Sequence, residues 1–260
     1  MTEKKVNKID IVIPYIIAGD NCNELRYALR SIAENLSFKG EVVIWLVGDK
    51  PDFVKNINHI PVDRIKGMDY MSYLDTCNKI HEACLNNKIG SGFIYTYDDI
   101  YFINKTTVKD IQQLKAMEDM TTIKEWFKTS KASKKWKNLL RKTLNYLREN
   151  KLPIWNYETH CPRYYNKKKA LRLIEKHNML VDPWQFASLY YNTYYPDSKP
   201  VLLMPWGAGI KLGVYREFPC EELREKVGEN KFLNYDTASY NDEMKKLISD
   251  LFPNKCKYEK

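Results

Sequence analysis

Strand-like and helix-like segments alternate through the first hundred residues, and this alternation constrains the fold more than any other feature of the chain. "KIDIVIPYI" reads as a strand ending at Pro14, followed by a loop holding Gly19, Asp20 and Asn21. "NELRYALRSIAENL" places Leu25, Ala28, Leu29, Ile32 and Leu36 on one helical stripe. The unbroken apolar run of "EVVIWLVGD" predicts a second strand covered on both faces, stopping at Gly48-Asp49. "HIPVDRI" suits a short third strand, "MDYMSYLDTCNKIHEACLNN" a second helix, and "GFIYTYDDIYFI" a closing strand. The series is that of a wound α/β sheet. Ligands of such sheets sit beyond the carboxyl ends of the strands. Pro14-Tyr15, Asp49 and Asp98-Asp99 fall there, so three strand ends are expected to converge on one crevice.

The doublet Asp98-Asp99 lies inside an aromatic and β-branched run, where an ionised carboxylate is costly unless paired, hydrogen-bonded or metal-bound. Acidic pairs often only cap helices or brace turns. At a strand end over a crevice, however, two carboxylates suit a hard divalent cation such as Mn²⁺ or Mg²⁺, which binds through carboxylate oxygens and substrate phosphates.

On these residues the first half resembles the GT-A type glycosyltransferases, of a small bacterial or phage-encoded kind. "DIVIPY" stands as the opening strand, "VVIWLVGD" as the second strand with its terminal acid, and "FIYTYDDIYFI" where that fold carries its DxD-type metal motif. The resemblance implies a GT-A-like (Rossmann-like) mixed sheet flanked by helices, and a nucleotide-diphosphate sugar as donor, a UDP-sugar first among them. It implies that Pro14, Tyr15 and Asp49 hold base and ribose, and that Asp98 and Asp99 hold Mn²⁺ or Mg²⁺, Asp99 most directly. The chain reads DD and not D-x-D, so one acid is free to contact the donor sugar or ribose. A looser likeness connects "NYETHCPRYYNKKKALRLIEK", with His160, Cys161 and Pro162, to the Stealth-type capsular polysaccharide phosphotransferases. Both likenesses imply a transferase of polysaccharide biosynthesis, of the hexosyltransferase type. They thin out from about Lys109 onward.

The net charge of +9 is unevenly placed. Eight Lys or Arg face one acid, Glu149, between Lys131 and Lys151, and Trp136, Leu139, Leu140, Thr143, Leu144 and Leu147 recur at helical spacing. An amphipathic helix with a basic outer surface is predicted. Such a surface is either simply solvated or attracts something anionic: a nucleotide diphosphate, an acidic glycan, a membrane surface or nucleic acid. The chain therefore divides into a nucleotide-sugar-binding half (1–108), a basic helical insertion without strands (109–152), and an acceptor-binding half of the same domain (153–260).

In the last of these, His160 sits between Glu158 and Arg163 in an aromatic segment. A lone His is more often structural, but the GT-A resemblance implies a downstream His at the metal or the pyrophosphate. Arg163, Lys167 and, from the crevice side, Lys66 are candidates to neutralise a leaving nucleoside diphosphate, against a plain reading as surface charge. "MLVDPWQFASLYYNTYYPDSKP" is the most aromatic stretch; part is core, and part, Trp184 above all, suits stacking of an acceptor sugar. An inverting reaction needs a general base near the acceptor hydroxyl; Asp182 is the candidate, with a helix cap its plainer role, and His160 counts as catalytic only through its implied place at the metal or the pyrophosphate. "LLMPWGAGIKLGVY" carries no phosphate-cradle spacing and reads as a strand with a closing loop. "TASYNDEMKKLISDLFP" is a helix stopped by Pro253, and the tail beyond it is given no function.

At 260 residues, 44% hydrophobic and 13% aromatic, the chain buries a full core. No apolar run approaches the roughly 18 residues of a membrane span. Asp10 and Pro14 interrupt the apolar opening, which is expected to be a disordered tip and a first strand and not a signal peptide. Six cysteines without CxxC pairs suit free thiols of a cytoplasmic protein, peripheral to the inner membrane face if the basic helix docks there. The expected function is a metal-dependent glycosyltransferase acting on a glycan or other hydroxyl acceptor. The alternatives are a sugar-phosphate transferase and, ranked below both, a non-catalytic basic α/β module binding nucleic acid.

Overall fold

The computed structural model describes residues 8–17, 23–120, 133–204, 207–214, 220–236 and 239–260. The expected loop at Gly19–Asn21 and the basic residue Lys131 lie outside them. In chain order the elements open with β1 (Lys8–Tyr15), α1 (Asn23–Asn35), β2 (Leu36–Ser37), β3 (Glu41–Gly48), β4 (Asn58–Ile60) and α2 (Met71–Leu85). They continue with β5 (Gly92–Tyr95), β6 (Ile100–Phe102), β7 (Thr106–Thr107), α3 (Val108–Gln112), β8 (Lys115–Ala116) and α4 (Lys134–Glu149). Next come β9 (Arg163–Asn166), α5 (Lys167–Lys176), α6 (Phe186–Tyr194) and β10 (Val201–Leu202). The last are β11 (Lys211–Val214), α7 (Cys220–Val227), β12 (Phe232–Tyr235) and α8 (Asp242–Leu251).

The fold is mixed α/β. A five-stranded sheet has the order β4-β3-β1-β5-β9, in which the first four strands are parallel and β9 runs antiparallel to β5. A second sheet, β11-β12-β6, is also mixed. The expected alternation through α2 is present, with β4 shorter than "HIPVDRI" allowed. Two expectations are corrected. "GFIYTYDDIYFI" is two strands, β5 and β6, in different sheets, with a turn at Asp98-Asp99 between them. The segment 109–152 is not free of strands, because β8 pairs with β10.

Helix α1 holds the two sheets together. Leu25, Leu29 and Ile32 pack with Ile11, Ile13 and Ile44 of the large sheet, while Ala28 packs with Tyr101 of β6. Ser31 Oγ accepts from the Phe102 amide at 3.1 Å, and Asn35 donates to the Phe102 carbonyl at 2.6 Å. On the opposite face, Cys77, Ile80 and Ala83 of α2 join Val12, Trp45 and Phe93 in a core that extends to α5 and α6. Both faces of the parallel strands are thus covered, as their continuous apolar runs require. Asp10, buried in β1, accepts from Trp45 Nε1 at 2.8 Å and from the Gly90 amide at 3.0 Å. Cys77, Cys84, Cys161 and Cys256 are free thiols.

The C-terminal tail, given no role from sequence, is part of the fold. Glu259 is 2% exposed, accepts from Arg30 Nε at 2.7 Å and Nη2 at 2.9 Å, and accepts from Arg26 Nη1 at 2.7 Å. Among the described residues no helix is long and apolar enough to cross a membrane.

Candidate functional site

The strand directions decide which residues meet. β1, β3 and β5 are parallel; Tyr15 ends β1 opposite Gly48 of β3, while Tyr95 ends β5 opposite Val12, so the chain leaves β5 toward the turn at Asp98-Asp99 along the same carboxyl edge. Gly48 has φ +117°, and a Cβ there would fall 2.2 Å from the Tyr15 carbonyl oxygen, so only glycine lets β3 close against β1 at this edge. Because β9 is antiparallel to β5, its first residue, Arg163, stands opposite Tyr95. The approach to β9, with Glu158 and His160, therefore reaches the same edge as Asp98 and Asp99.

Two cavities open along this edge. The first, of about 290 Å³, is lined by Asp98, Asp99, Glu158, His160, Arg163 and Trp184, with Trp136 of α4 and Tyr73 of α2 among the other walls. The second, of about 210 Å³, is lined by Pro14, Ile16, Arg64, Lys79 and Asp98. Ser72, Thr76, Tyr97 and Asp98 belong to both, so the cavities are neighbours with Asp98 between them.

The electrostatics at the doublet mark an excess of negative charge. Burial, the neighbouring Asp99 and Glu24 of α1 push the Asp98 carboxyl up to about 8, against the pull of Lys79. Burial and Glu24 raise Asp99 to about 6, opposed by Lys211. Glu24 is held by the Tyr235 hydroxyl, which donates at 2.8 Å. A cation seated at the two carboxylates relieves this repulsion, and hard oxygen donors of this kind suit Mn²⁺ or Mg²⁺. The pair therefore fits such an ion, with the rest of its shell left to substrate oxygens and water. Among the described residues no group of three or more His, Cys, Asp or Glu converges.

On the far wall, Arg163 is buried, with Glu158 at 3.7 Å as its ion-pair partner. Glu158 Oε1 also accepts from the Ser188 amide at 2.9 Å and from its hydroxyl at 3.1 Å. Tyr165, Glu158 and Tyr97 hold the guanidinium charged despite its burial. Arg163 Nε and Trp184 Nε1 are buried without a hydrogen-bond partner, and such donors at a cavity wall call for water or a ligand. His160 has φ +47°, and its ring lies 6.3 Å from that of Tyr97. It opens onto the cavity, and desolvation by the surrounding groups, then Lys211 and Arg163, lower its imidazole below the usual range.

The residues expected from sequence divide into two groups. Asp98, Asp99, His160, Arg163 and Trp184 share the first cavity, and Pro14 lines the second. Tyr15 is instead packed in the core beside Ile13 and Leu25. Asp49 faces solvent at the end of β3 and uses Oδ2 to accept from the Ile17 amide at 2.7 Å, shaping the loop after β1. Lys66 is exposed and lines neither cavity. Asp182 lines neither one; it is ion-paired with Lys142 and does not cap α6, whose N-cap is Gln185. Lys167 binds the carbonyls of Asn86 and Ile89, joining α5 to the turn before β5.

Sequence reasoning missed Ser72, Tyr73 and Thr76, which lie on the stripe of α2 beside its apolar one, and it read Trp136 only as part of an amphipathic pattern. Their signal was a polar or aromatic residue at the cavity end of a helix otherwise explained by packing. The sequence matches no protein-family model and no curated protein.

Proposed function

We propose that the chain is a metal-dependent glycosyltransferase with a GT-A-like arrangement of β1 to β5. The observation that carries this reading is the position of Asp98, which lines both cavities at the carboxyl edge of the parallel strands. A nucleotide-sugar donor lying along that edge has its nucleoside in the second cavity, near Pro14 and Arg64. Its sugar points into the first, and its diphosphate lies at Asp98-Asp99. Mn²⁺ or Mg²⁺ held by Asp99 and Asp98 would supply Lewis-acid neutralisation of the leaving diphosphate.

The chain's own residues do the rest. Arg163 adds fixed positive charge for the developing negative charge of the leaving group, and Lys211, lowered by burial to about 8, adds to it at neutral pH beside Asp99. His160, open to the cavity, would accept a hydrogen bond from an acceptor hydroxyl and orient it, its lowered basicity suiting it to that and not to taking the proton. Asp182 lies outside the cavity, tied to Lys142. Trp136 and Trp184 offer ring surface for the acceptor sugar, an amphipathic face that suits a ligand with one apolar and one polar side.

Donor turnover tests the reading. The full chain is incubated with UDP-, GDP- and CDP-sugars and Mn²⁺, and the products are separated by chromatography. Release of nucleoside diphosphate, lost in Asp99→Asn, is the expected result. Release of nucleoside monophosphate would instead mark sugar-phosphate transfer, and no turnover of any donor would remove the proposal.

A further inference from the structure

The basic charge of the chain resides on two helices. From Lys134 to Lys151 there are seven Lys or Arg against Glu149, and α5 has five against Glu175; the remainder holds thirty basic and thirty-one acidic residues. Both helices pack on α6. Lys176 of α5 lies 6.0 Å from the Tyr146 ring centroid of α4, so the two rows of charge form one surface. Their apolar stripes, Leu140, Leu144 and Leu147 on α4 with Leu173 and Ile174 on α5, face inward. Lys135, Lys142 and Lys167 are committed to Asp69, Asp182 and backbone carbonyls. Lys134, Arg141, Lys168, Arg172 and Lys176 lie on the exposed side.

Exposed apolar side chains border this surface. Met68 is 49% exposed and Met71 40%, while Val181, just beyond α5, is 58% exposed. The methionines flank Asp69 and Tyr70, both of which Lys135 of α4 engages, the carboxylate at 3.0 Å and the ring at 5.5 Å. Met71 also lines the second cavity, and Trp136, next to Lys135, lines the first. The Lys135 end of the basic face thereby adjoins residues that line both cavities. A nucleic-acid backbone rewards the cations alone, whereas a lipid interface rewards cations together with neighbouring apolar side chains that enter the headgroup layer.

We propose that the face formed by α4 and α5 docks on an anionic lipid bilayer, with Met68 and Met71 entering the headgroup layer at the rim of the crevice. Docked in this way, the cavities open toward the lipid surface, which makes a lipid-linked glycan the acceptor class. That last step rests on the transferase reading; the docking does not.

Vesicle flotation of the full chain tests the docking without donor or acceptor, so its outcome is independent of turnover. Vesicles of phosphatidylcholine alone are compared with vesicles containing phosphatidylglycerol at the same ionic strength. Binding to the anionic vesicles only is expected, weakened by salt. Each cation removed lowers it by about fivefold, so Lys134→Glu, Arg141→Glu, Lys168→Glu and Arg172→Glu combined abolish it. Met68→Ser with Met71→Ser weakens vesicle binding too, and this pair carries the test if the fourfold variant fails to fold. Equal binding to neutral vesicles, no binding to anionic ones, or tighter binding to an RNA or DNA oligonucleotide than to the vesicles would overturn the proposal.

Discussion

Tyr95, the last residue of β5, stands opposite Arg163, the first residue of β9, across an antiparallel pair at the edge of a parallel sheet. That one reversal of direction brings the segment Glu158–Arg163 to the carboxyl edge, where the turn after β5 carries Asp98 and Asp99. A parallel β9 would have placed its N-terminal approach at the opposite edge. The candidate site thus follows from strand direction as much as from residue type.

Trp184 stands at the cavity wall with its indole nitrogen unpartnered and Lys142 4.1 Å from its ring centroid. Trp184→Ala removes the ring surface offered to the acceptor and leaves the second cavity untouched. Steady-state kinetics should show acceptor KM raised by about tenfold, the equivalent of ~1.4 kcal/mol, with donor KM unchanged. A rise in donor KM alone would place the donor sugar on this wall instead.

Glu259 is the partner that a buried Arg30 cannot lose. Glu259→Gln leaves that guanidinium without its countercharge, and removal of one partner of a buried pair costs about 3–5 kcal/mol. Urea unfolding at neutral pH measures it. Arg30, a backbone amide and Arg26 hold the Glu259 carboxyl down to about 2. A depressed folded-state pKa contributes stability above the unfolded-state value, and that stability is lost as pH falls toward the folded one. The difference between wild type and Glu259→Gln should therefore be constant above about pH 5 and shrink progressively below it. A pH-independent difference would show that the carboxylate's charge is not what Arg30 requires.

Asp10 ties β1 to Trp45 of β3 and to the turn before β5. Asp10→Ala leaves the Trp45 indole N–H and the Gly90 amide without acceptors. Trp45 is buried, whereas Gly90 is exposed and its amide can turn to water; one unsatisfied buried donor costs about 1–3 kcal/mol, so thermal and urea unfolding should report a loss of roughly 1–3 kcal/mol. A loss under 1 kcal/mol, on the scale of a surface substitution, would mean that water replaces the carboxylate.

The elements legible in the sequence are those whose burial pattern is local. β1, α1, β3 and α2 each carry enough apolar residues at strand or helix period to declare themselves. The turn at Asp98-Asp99 was hidden because it has no Gly or Pro, and alternation continues through it although β5 and β6 belong to different sheets. Asp98, Asp99, His160, Arg163 and Trp184 line the first cavity and Pro14 the second, whereas Asp182, Lys66 and Tyr15 line neither, since side-chain direction depends on packing that no spacing encodes. Glu259 was invisible for the same reason, its partner Arg30 lying 229 positions away in the chain.

The central claim is that the carboxylate pair at the meeting of the two cavities seats a metal-bound nucleoside diphosphate. Thermal unfolding of wild type and Asp99→Asn with UDP, GDP and CDP, each with and without Mn²⁺, tests it most directly. The account predicts that one diphosphate raises Tm in wild type only when Mn²⁺ is present, and not in the variant. Stabilisation that is equal without Mn²⁺, or equal in Asp99→Asn, would contradict it.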